Sequence, residues 1–448
     1  MMRLVCCLSL VIACLSCATG PLGGSGRPAA YSGVRPLNKT ILDNGLAVLV
    51  HESHSHPLVT VDVWVRTGSA DETPALNGAS HFLEHMMFKG TDRYGPGEID
   101  RVIEGLGGVW NAGTSKEFTH YYLTVGSEFF REALEVMGNV LTRSTFAPEE
   151  FERERGVILE EWRRKQDNPQ GLLYEEIYRQ SFATGPYRAT VLGSFESISE
   201  LSRKQLVDYY KRRYTPGNIA VVISGDVSND DAVAAVGELF GAIAGPAKPT
   251  AGLEQPLARE MRHHEVIQKD VKEAYLALSW PAPGIAAEQD VYALDLLSMI
   301  LGDGRTSRLY RNVREKKQLA TSIGAHFPTS RHPTLLLVTA VTAPDKTADL
   351  RAAIEQEIAR LRDKSVTRAE LARAKKMAVN GYYFATESTT GVSQTLGYYY
   401  TLTGSEQFEQ EYLERLAQVR PADIKRVARR YFSPTSCVSV EVRPAEDK

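Results

Sequence analysis

Residues 79–90 of the chain read Ala79-Ser80-His81-Phe82-Leu83-Glu84-His85-Met86-Met87-Phe88-Lys89-Gly90. The centre of this stretch is the pattern His-x-x-Glu-His. In a helix, His81 and His85 project from the same face. Two imidazoles placed in this way can bind one Zn²⁺, at about 2.0–2.1 Å from each histidine nitrogen. Glu84 then lies beside the ligands, where its carboxylate can take a proton from a zinc-bound water as a general base. The stretch therefore predicts a zinc site with His81 and His85 as metal ligands and Glu84 as a catalytic residue.

The apolar neighbours of the two histidines favour the metal interpretation over a structural one. A pair of histidines on a helix is more often structural than metal-binding. Here the pair carries an interposed glutamate and is surrounded by Phe82, Leu83, Met86, Met87 and Phe88. Unpaired imidazoles would be costly in such a setting. A purely structural zinc site is disfavoured, since Glu84 would then have no task.

Length and composition are those of a soluble globular protein. The chain has 448 residues, of which 43% are hydrophobic and 24% charged, and this length allows two or three domains. A formal charge of −3 gives no indication of a nucleic-acid partner. After the N-terminus, no apolar stretch reaches the 18 or so residues that a membrane span requires.

The N-terminal segment is predicted to be a secretory signal of the lipoprotein type, over residues 1–17. A positive charge precedes a short apolar stretch, residues 4–12. Cys14 fits the pattern of a lipidated cysteine better than Cys17, and both stay open, as does a simple cleaved signal. Residues 18–36 are rich in Gly, Pro and Ser and are predicted to be a flexible tether. We expect an exported, periplasmic protein that contacts the outer membrane through a lipid anchor only.

Cysteine use sets one further limit. Four of the five cysteines lie in the predicted signal, and Cys437 alone remains in the body of the chain. No intrachain disulfide can therefore form there despite export.

A break in the middle of the chain predicts two halves. Residues 241–262 interrupt every helical and strand period and are predicted to be a linker. They separate an N-terminal zinc-binding half, residues 37–240, from a C-terminal homologous half, residues 263–448. The sequence Arg-Arg-Tyr at 212–214 recurs 217 residues later at 429–431, each time before an apolar strand. This repeat indicates that the two halves are related.

A zinc site with two histidines needs a third protein ligand. The natural donor is a carboxylate on a second helix, and residues 149–166 are predicted to form a helix of high charge. Its candidate carboxylates are Glu149, Glu150, Glu152, Glu154, Glu160 and Glu161. Spacing alone does not choose among them, and we expect most to be solvated.

Three motifs together resemble the pitrilysin family, the inverzincin zinc peptidases that include insulin-degrading enzyme and mitochondrial processing peptidase. They are the His-x-x-Glu-His pattern, residues 154–161 and residues 111–122. The likeness covers nearly the whole chain after Asn38. It implies that Glu161 is the third zinc ligand, and that Glu154 is a supporting carboxylate that belongs to the catalytic set.

The same resemblance implies how substrate is bound. In the family, the Asn-Ala-x-Thr segment and the strand that follows bind substrate as an added β-strand. An exposed strand edge offers unpaired backbone groups and so binds with little demand on sequence. Asn111, Ala112 and Thr114 are therefore the predicted substrate contacts. For Tyr121 and Tyr122, packing within the strand core is the preferred interpretation.

The fold implied by the resemblance is α+β. It comprises two homologous α/β halves, each a mainly antiparallel sheet packed with helices, which form a clam-like chamber. The implied activity is that of a zinc metalloendopeptidase acting on peptides or unfolded protein segments, with Zn²⁺ as cofactor. The alternative is a non-catalytic assembly or peptide-binding subunit of the same fold.

The chain departs from the family pattern in its second half. Complete members bring an Arg and a Tyr, seven residues apart, to the substrate carbonyl. Arg314 matches the arginine and is a predicted substrate contact, but Thr321 stands at the tyrosine position. Losing one oxyanion donor costs about 10²–10³ in rate. The sequence therefore predicts the zinc subunit of a heterodimer, whose homologous partner subunit carries the Arg/Tyr pair.

Overall fold

The computed structural model of the chain describes residues 37–249 and 254–445. The predicted signal peptide (1–17) and tether (18–36) lie outside the described residues, as do residues 250–253 of the predicted linker. Within the described ranges, no helix combines the length and the apolar character needed to cross a membrane.

The first half alternates strands and helices. Its strands are β1 (Asn38–Ile41), β2 (Ala47–Glu52), β3 (Leu58–Val65), β4 (Val109–Thr114), β5 (Thr119–Gly126), β6 (Phe182–Thr184) and β7 (Ile219–Gly225). Its helices are α1 (Ala79–Met87), α2 (Glu98–Gly105), α3 (Phe130–Arg143), α4 (Pro148–Asp167), α5 (Pro169–Ser181), α6 (Phe195–Glu200), α7 (Arg203–Arg213) and α8 (Asn229–Phe240).

The second half follows a similar order. The predicted linker contains the short strand β8 (Leu257–Ala258), and the strands of the second half are β9 (His263–Lys269), β10 (Ala274–Ala282), β11 (Ser322–His326), β12 (Thr334–Thr342) and β13 (Val438–Pro444). Its helices are α9 (Glu288–Gly302), α10 (Thr347–Asp363), α11 (Arg368–Ala385), α12 (Thr389–Thr403), α13 (Gln407–Gln418) and α14 (Pro421–Tyr431), with a π-helical segment at Tyr310–Glu315.

The two large sheets have the same topology. The first runs β1-β2-β7-β3-β5-β4 and the second runs β9-β13-β10-β12-β11. In each sheet only one pair is parallel, β2 with β7 and β9 with β13, and the remaining pairs are antiparallel. Apart from β1, the strands correspond one to one. The predicted α+β fold with two related, mainly antiparallel halves is confirmed.

The repeated Arg-Arg-Tyr sequence makes the same contact in both halves. Arg213 lies 3.6 Å from Asp71, which precedes α1. Arg430 lies 3.1 Å from Asp290, in the first turn of α9. Arg213 therefore ties α7 to the turn that precedes α1, and Arg430 ties α14 to the first turn of α9.

The core of the first half lies between one face of its sheet and the helices α1, α3, α7 and α8. Alternate residues of β3, namely Val59, Val61, Val63 and Val65, are fully buried there. This is the period-2 pattern of a strand with one face in the core. The same packing buries Phe82 and Met86 of α1, which fixes the helix against the sheet.

The opposite face of each sheet is covered by a helix from the other half. In the first sheet, Trp64 and Val222 pack against Val392 and Leu396 of α12. In the second sheet, residues of β10, β12 and β13 pack against α5. A Cβ on Gly397 would come within 2.1 Å of the Trp64 indole nitrogen, so a glycine is needed for α12 to approach β3. The halves are thus interlocked, and the clam-like chamber stays a prediction.

The described part of the predicted linker returns to the first half. Phe182 of β6 pairs with Ala258 of β8, and Thr184 pairs with Leu257. Residue 263 then begins β9 in the second sheet. The boundary at 241–262 stays a prediction, and this short pairing ties its end to the first half.

Candidate metal centre

Helix α1 packs one face into the core and directs His81 and His85 from its other face toward Glu161. Phe82, Leu83, Met86 and Met87 are fully buried. The ring of Phe82 stacks on Phe151 of α4, with 4.7 Å between centroids. This contact holds α4 beside the histidine-bearing helix.

The start of α1 is fixed by a buried carboxylate. Glu72 accepts hydrogen bonds of 2.7 Å from the backbone N–H groups of Gly78 and Ser80. These groups would otherwise lack partners at the helix N-terminus. Burial raises the pKa of Glu72 to about 7, against these hydrogen bonds, which lower it. Glu72 therefore sets where α1 begins, just before His81.

The structure brings His81, His85 and Glu161 together. Glu161 Oε2 lies 3.8 Å from His81 Nε2 and 3.7 Å from His85 Nε2. One ligand atom from each of the three residues lies within 4.8 Å of the others. Two ligands of one zinc ion lie at most about 4.2 Å apart, twice the bond length. The two measured separations meet this limit.

The chemistry of these donors also fits a divalent cation. Glu161 Oε2 is buried and accepts no hydrogen bond from any described residue. A bound cation would supply the partner that this oxygen lacks. His81 is 6% exposed, and burial lowers its pKa well below the usual value. The imidazole is thereby kept neutral, which is the form that binds a metal.

Glu154 contacts His85 from the side of the ring that faces away from Glu161. Its Oε2 lies 3.1 Å from His85 Nδ1, and its Oε1 accepts a 2.8 Å contact from Lys89 Nζ. Burial alone would raise the pKa of Glu154, yet the hydrogen bonds from His85 and Lys89 lower it. A carboxylate in this position orients a ligating imidazole and fixes its tautomer.

Glu84 belongs to α1, and its side chain faces the edge strand β4. The Thr114 hydroxyl donates a 2.5 Å hydrogen bond to Glu84 Oε2. Burial raises the pKa of Glu84. The carboxylate is thus held beside the ligands by a residue of the strand that was predicted to contact substrate.

Strand β4 is the last strand of the first sheet, and its outer edge pairs with no other described strand. Thr114 and Trp110 face α1, where the Trp110 ring lies 4.2 Å from Phe88. Ala112, two residues from each, shares this face. Asn111 is exposed, and its Oδ1 accepts from the Ala112 N–H at 2.8 Å. The three predicted substrate contacts therefore lie on one open edge beside Glu84.

The two tyrosines of β5 lie on opposite faces of the strand. Tyr121 is 1% exposed, and its hydroxyl lies 2.7 Å from that of Tyr214 in the core. Tyr122 is partly buried and lies on the opposite face. Core packing describes Tyr121 well.

Arg314 is not part of this cluster. It belongs to the second half, where its Nε donates to the Thr321 carbonyl at 2.9 Å and its guanidinium lies 4.5 Å from the centre of the Tyr310 ring. The Thr321 hydroxyl contacts Glu273 and the Val341 carbonyl. Among the described residues, neither side chain contacts a residue of the metal centre.

The sequence interpretation does not include two residues, Lys89 and Glu72, that support the cluster. Lys89 lies four residues after His85, and this spacing could have signalled a second side chain on the same face. Glu72 gave no usable signal, because the loop between it and α1 follows no fixed spacing.

Comparisons with known proteins place the chain in a family. Residues 47–194 match the family model for insulinase (peptidase family M16), and residues 200–378 match the model for the peptidase M16 inactive domain. A relative from Rickettsia bellii named an uncharacterized zinc protease is 30% identical over 90% of this chain and 97% of its own length. The Bacillus subtilis relative named uncharacterized zinc protease YmxG is 29% identical over 89% of this chain and 96% of its own.

Solved structures agree with this placement. A protease from Helicobacter pylori superposes with a TM-score of 0.87 at 27% identity, covering 91% of this chain and 99% of that one. A peptidase M16 inactive domain from Pseudomonas fluorescens shares the fold, with a TM-score of 0.85 at 22% identity over 92% of this chain and 99% of that one.

The fold and the clustered His81, His85 and Glu161 define a protein of two related halves with a candidate metal-binding triad. The chain belongs to the peptidase M16 family, which confirms the resemblance drawn from the three motifs. The match of residues 200–378 to the inactive domain agrees with the single His-x-x-Glu-His pattern in the sequence, which lies outside that range.

Proposed function

We propose that this chain is a zinc metalloendopeptidase that hydrolyses peptides or unfolded protein segments. The observation that carries the proposal is the approach of Glu161 Oε2 to both histidine Nε2 atoms, with Glu84 beside them. His81, His85 and Glu161 would hold the ion. The names of the relatives as zinc proteases agree with this assignment.

The proposed mechanism assigns a role to each side chain at the site. A bound Zn²⁺ supplies Lewis-acid chemistry, which polarises a carbonyl group and makes a water easier to deprotonate. Glu84 takes a proton from the attacking water and returns it to the leaving amine. Thr114 holds the Glu84 carboxylate in position, and Glu154 fixes the orientation of His85. The open edge of β4 aligns the substrate backbone beside Glu84.

A Glu84→Gln substitution tests this proposal. The amide keeps the size of the side chain and can still accept from Thr114, but it cannot take a proton. We expect one zinc per chain by elemental analysis in both proteins, and a loss of about 10²–10⁴ in the hydrolysis of an unfolded substrate by the variant. Hydrolysis by the variant at the rate of the wild type would contradict the mechanism. A wild-type chain that binds no zinc would contradict it as well.

We propose further that this chain is the zinc subunit of a heterodimer. Thr321 stands where complete members have tyrosine, and its short side chain is engaged by Glu273 and a carbonyl oxygen. A homologous chain carrying the Arg/Tyr pair would supply the missing donor. The purified chain should be assayed alone and with such a partner. Full activity of the chain alone would refute the heterodimer while leaving the zinc site intact.

We also propose export to the periplasm with a lipid on Cys14 or Cys17. The support is the N-terminal sequence alone. Labelling of the wild-type chain with radioactive palmitate, compared with Cys14→Ser and Cys17→Ser variants, tests the proposal and identifies the modified residue. Absence of label in the wild-type chain would contradict it.

A further inference from the structure

The segment between α9 and β11 is strongly basic in a protein that is acidic overall. Residues 303–317 contain six cations and two carboxylates, Asp303 and Glu315, whereas the whole chain has a formal charge of −3. The cations are Arg305, Arg308, Arg311, Arg314, Lys316 and Lys317. Such separation of charge creates a local positive field that attracts anionic partners.

Two of these cations pair with carboxylates of the protein, and the other four are exposed and form no ion pair within the described ranges. Arg308 binds Glu370 through two hydrogen bonds, and Arg314 pairs with Glu315. Four exposed cations, Arg305, Arg311, Lys316 and Lys317, form what we name the basic strip. The first three make no ion pair or side-chain hydrogen bond within the described ranges, and Lys317 contacts only the Gln356 amide oxygen.

The π-helical segment places two of these cations one above the other. The Lys316 N–H donates to the Arg311 carbonyl, five residues earlier, at 3.1 Å. In a helix of this type, residues five apart lie on the same side. Arg311 and Lys316 therefore present their charges to solvent from one face.

The basic strip adjoins an open strand edge. Strand β11 is the last strand of the second sheet, and its outer edge pairs with no other described strand. A Cβ on Gly302 would come within 2.0 Å of the Ala325 backbone nitrogen, so the start of the basic segment lies directly on β11. At the other end, Arg314 binds the carbonyl of Thr321, the residue before β11. The segment thus begins and ends against the same strand.

We propose that the basic strip and the free edge of β11 together bind acidic, extended segments of polypeptide. The inference rests on the proposed peptidase function and adds a class of substrate to it. The β11 edge offers backbone hydrogen bonds to an extended chain, and the neighbouring cations complement carboxylate side chains. An anionic lipid surface would use the cations but not the strand edge, so a polypeptide is the better match.

The nearby carboxylates do not cancel this field. Glu315 is engaged by Arg314, and Glu273 receives the Thr321 hydroxyl. Asp303 is exposed beside Arg305 and offsets one charge of the strip. Glu273 keeps its charge when it accepts the Thr321 hydroxyl and offsets a second cation, so two cations remain in excess on the exposed surface.

Binding should be measured on the chain carrying Glu84→Gln, so that peptides are not cut. The probes are fluorescent, unstructured peptides of equal length that contain several Glu, several Lys or only Ser, and the readout is fluorescence anisotropy. We expect the Glu peptide to bind about tenfold more tightly than the others at low salt, with the difference shrinking as salt is added. The double variant Arg311→Glu/Lys316→Glu should lose that preference.

The matched control is Arg131→Glu/Lys204→Glu, which reverses two exposed cations of the first half and changes the net charge by the same amount. This control should keep the preference for the Glu peptide. Equal affinity of the strip variant and the control for the Glu peptide would overturn the inference. So would binding of the wild-type strip to phosphatidylglycerol vesicles without binding to the Glu peptide. Because no hydrolysis is measured, failure here is separate from failure of the peptidase mechanism, which zinc content and the activity of the wild-type chain decide.

Discussion

The Thr114 hydroxyl donates a 2.5 Å hydrogen bond to Glu84 Oε2, so the predicted substrate strand holds the predicted general base. Thr114 is the last residue of β4, whose outer edge is open. A peptide that pairs with this edge would therefore be aligned on the same strand that orients the carboxylate. In the proposed mechanism, substrate binding and proton transfer would be coupled through the Thr114 side chain.

Replacement of Thr114 tests this coupling. A Thr114→Val variant keeps the shape of the side chain but removes the hydroxyl. Hydrogen bonds to charged groups contribute about 1.5–3 kcal/mol, so we expect kcat to fall by about tenfold to hundredfold with zinc content unchanged. Thr114→Ser keeps the hydroxyl and is the control, with activity close to that of the wild type. If Val and Ser variants hydrolyse peptide equally fast, Thr114 does not orient Glu84.

We expect Glu154 to strengthen the binding of the metal ion, because it holds His85 in position. A Glu154→Ala variant removes the acceptor for His85 Nδ1 and leaves Lys89 without its partner. Loss of such a supporting carboxylate weakens metal binding by about 10–100-fold. Competition with a zinc chelator measures this change without an activity assay. Glu160→Ala is the control, because Glu160 is exposed and pairs with Arg163. Equal zinc affinity of the two variants would contradict the role of Glu154.

The metal ligands show how far sequence alone can reach. The spacing of His81 and His85 was enough to predict two ligands on one helical face, and the structure places them so. Glu161 could not be chosen by spacing, because five other carboxylates share the predicted helix. The choice came from the family resemblance. Spacing within one helix does not show that α4 packs against α1, where Phe151 stacks on Phe82.

The fold was predicted best where hydrophobic period was clear. Alternation indicates β3 in the sequence itself, since Val59, Val61, Val63 and Val65 stand at every second position. Hydrophobic period does not predict helices α5 and α12, which are the two that cross between the halves. Helix α12 is rich in Gly, Thr and Tyr, which have modest helix propensity, and it is stabilised by burial against β3 rather than by its own sequence.

Glu117 makes a contact between the two halves. This residue lies in the turn between β4 and β5 and is 5% exposed. Its carboxylate accepts from the backbone N–H groups of Arg331 at 2.8 Å and His332 at 3.3 Å, and from the Tyr187 hydroxyl. The turn after β4, the predicted substrate strand, is therefore anchored to the second half.

Glu117→Ala should destabilise the protein by about 2–4 kcal/mol, because it leaves several buried donors without an acceptor. Urea unfolding followed by circular dichroism measures this change. Hydrogen exchange at the Arg331 and His332 amides should also become faster. Glu128→Ala is the control, since Glu128 is exposed at the start of the next helix. Unchanged exchange at both amides would show that Glu117 does not join the halves.

Stability should depend on pH through Asp295, which lies in α9 far from the metal centre in sequence and accepts a 2.9 Å hydrogen bond from Tyr412. Burial raises the pKa of Asp295 from 3.8 to about 7. The folded state therefore binds this proton more tightly than the unfolded state does. The resulting contribution to stability is complete below about pH 4 and is lost as the pH rises through 7.

Asp295→Asn removes this dependence while keeping an oxygen that can accept from Tyr412. We expect the variant and the wild type to have similar unfolding free energies at pH 4, and the variant to be more stable at pH 8 by up to about 4 kcal/mol. Glu72, whose burial raises its pKa to about 7 in the same direction, remains in both proteins, so the difference between them isolates Asp295. Urea unfolding at several pH values measures it, with Asp303→Asn on an exposed residue as the control. A difference that does not grow between pH 4 and pH 8 would mean that Asp295 is already ionised in the folded protein at low pH.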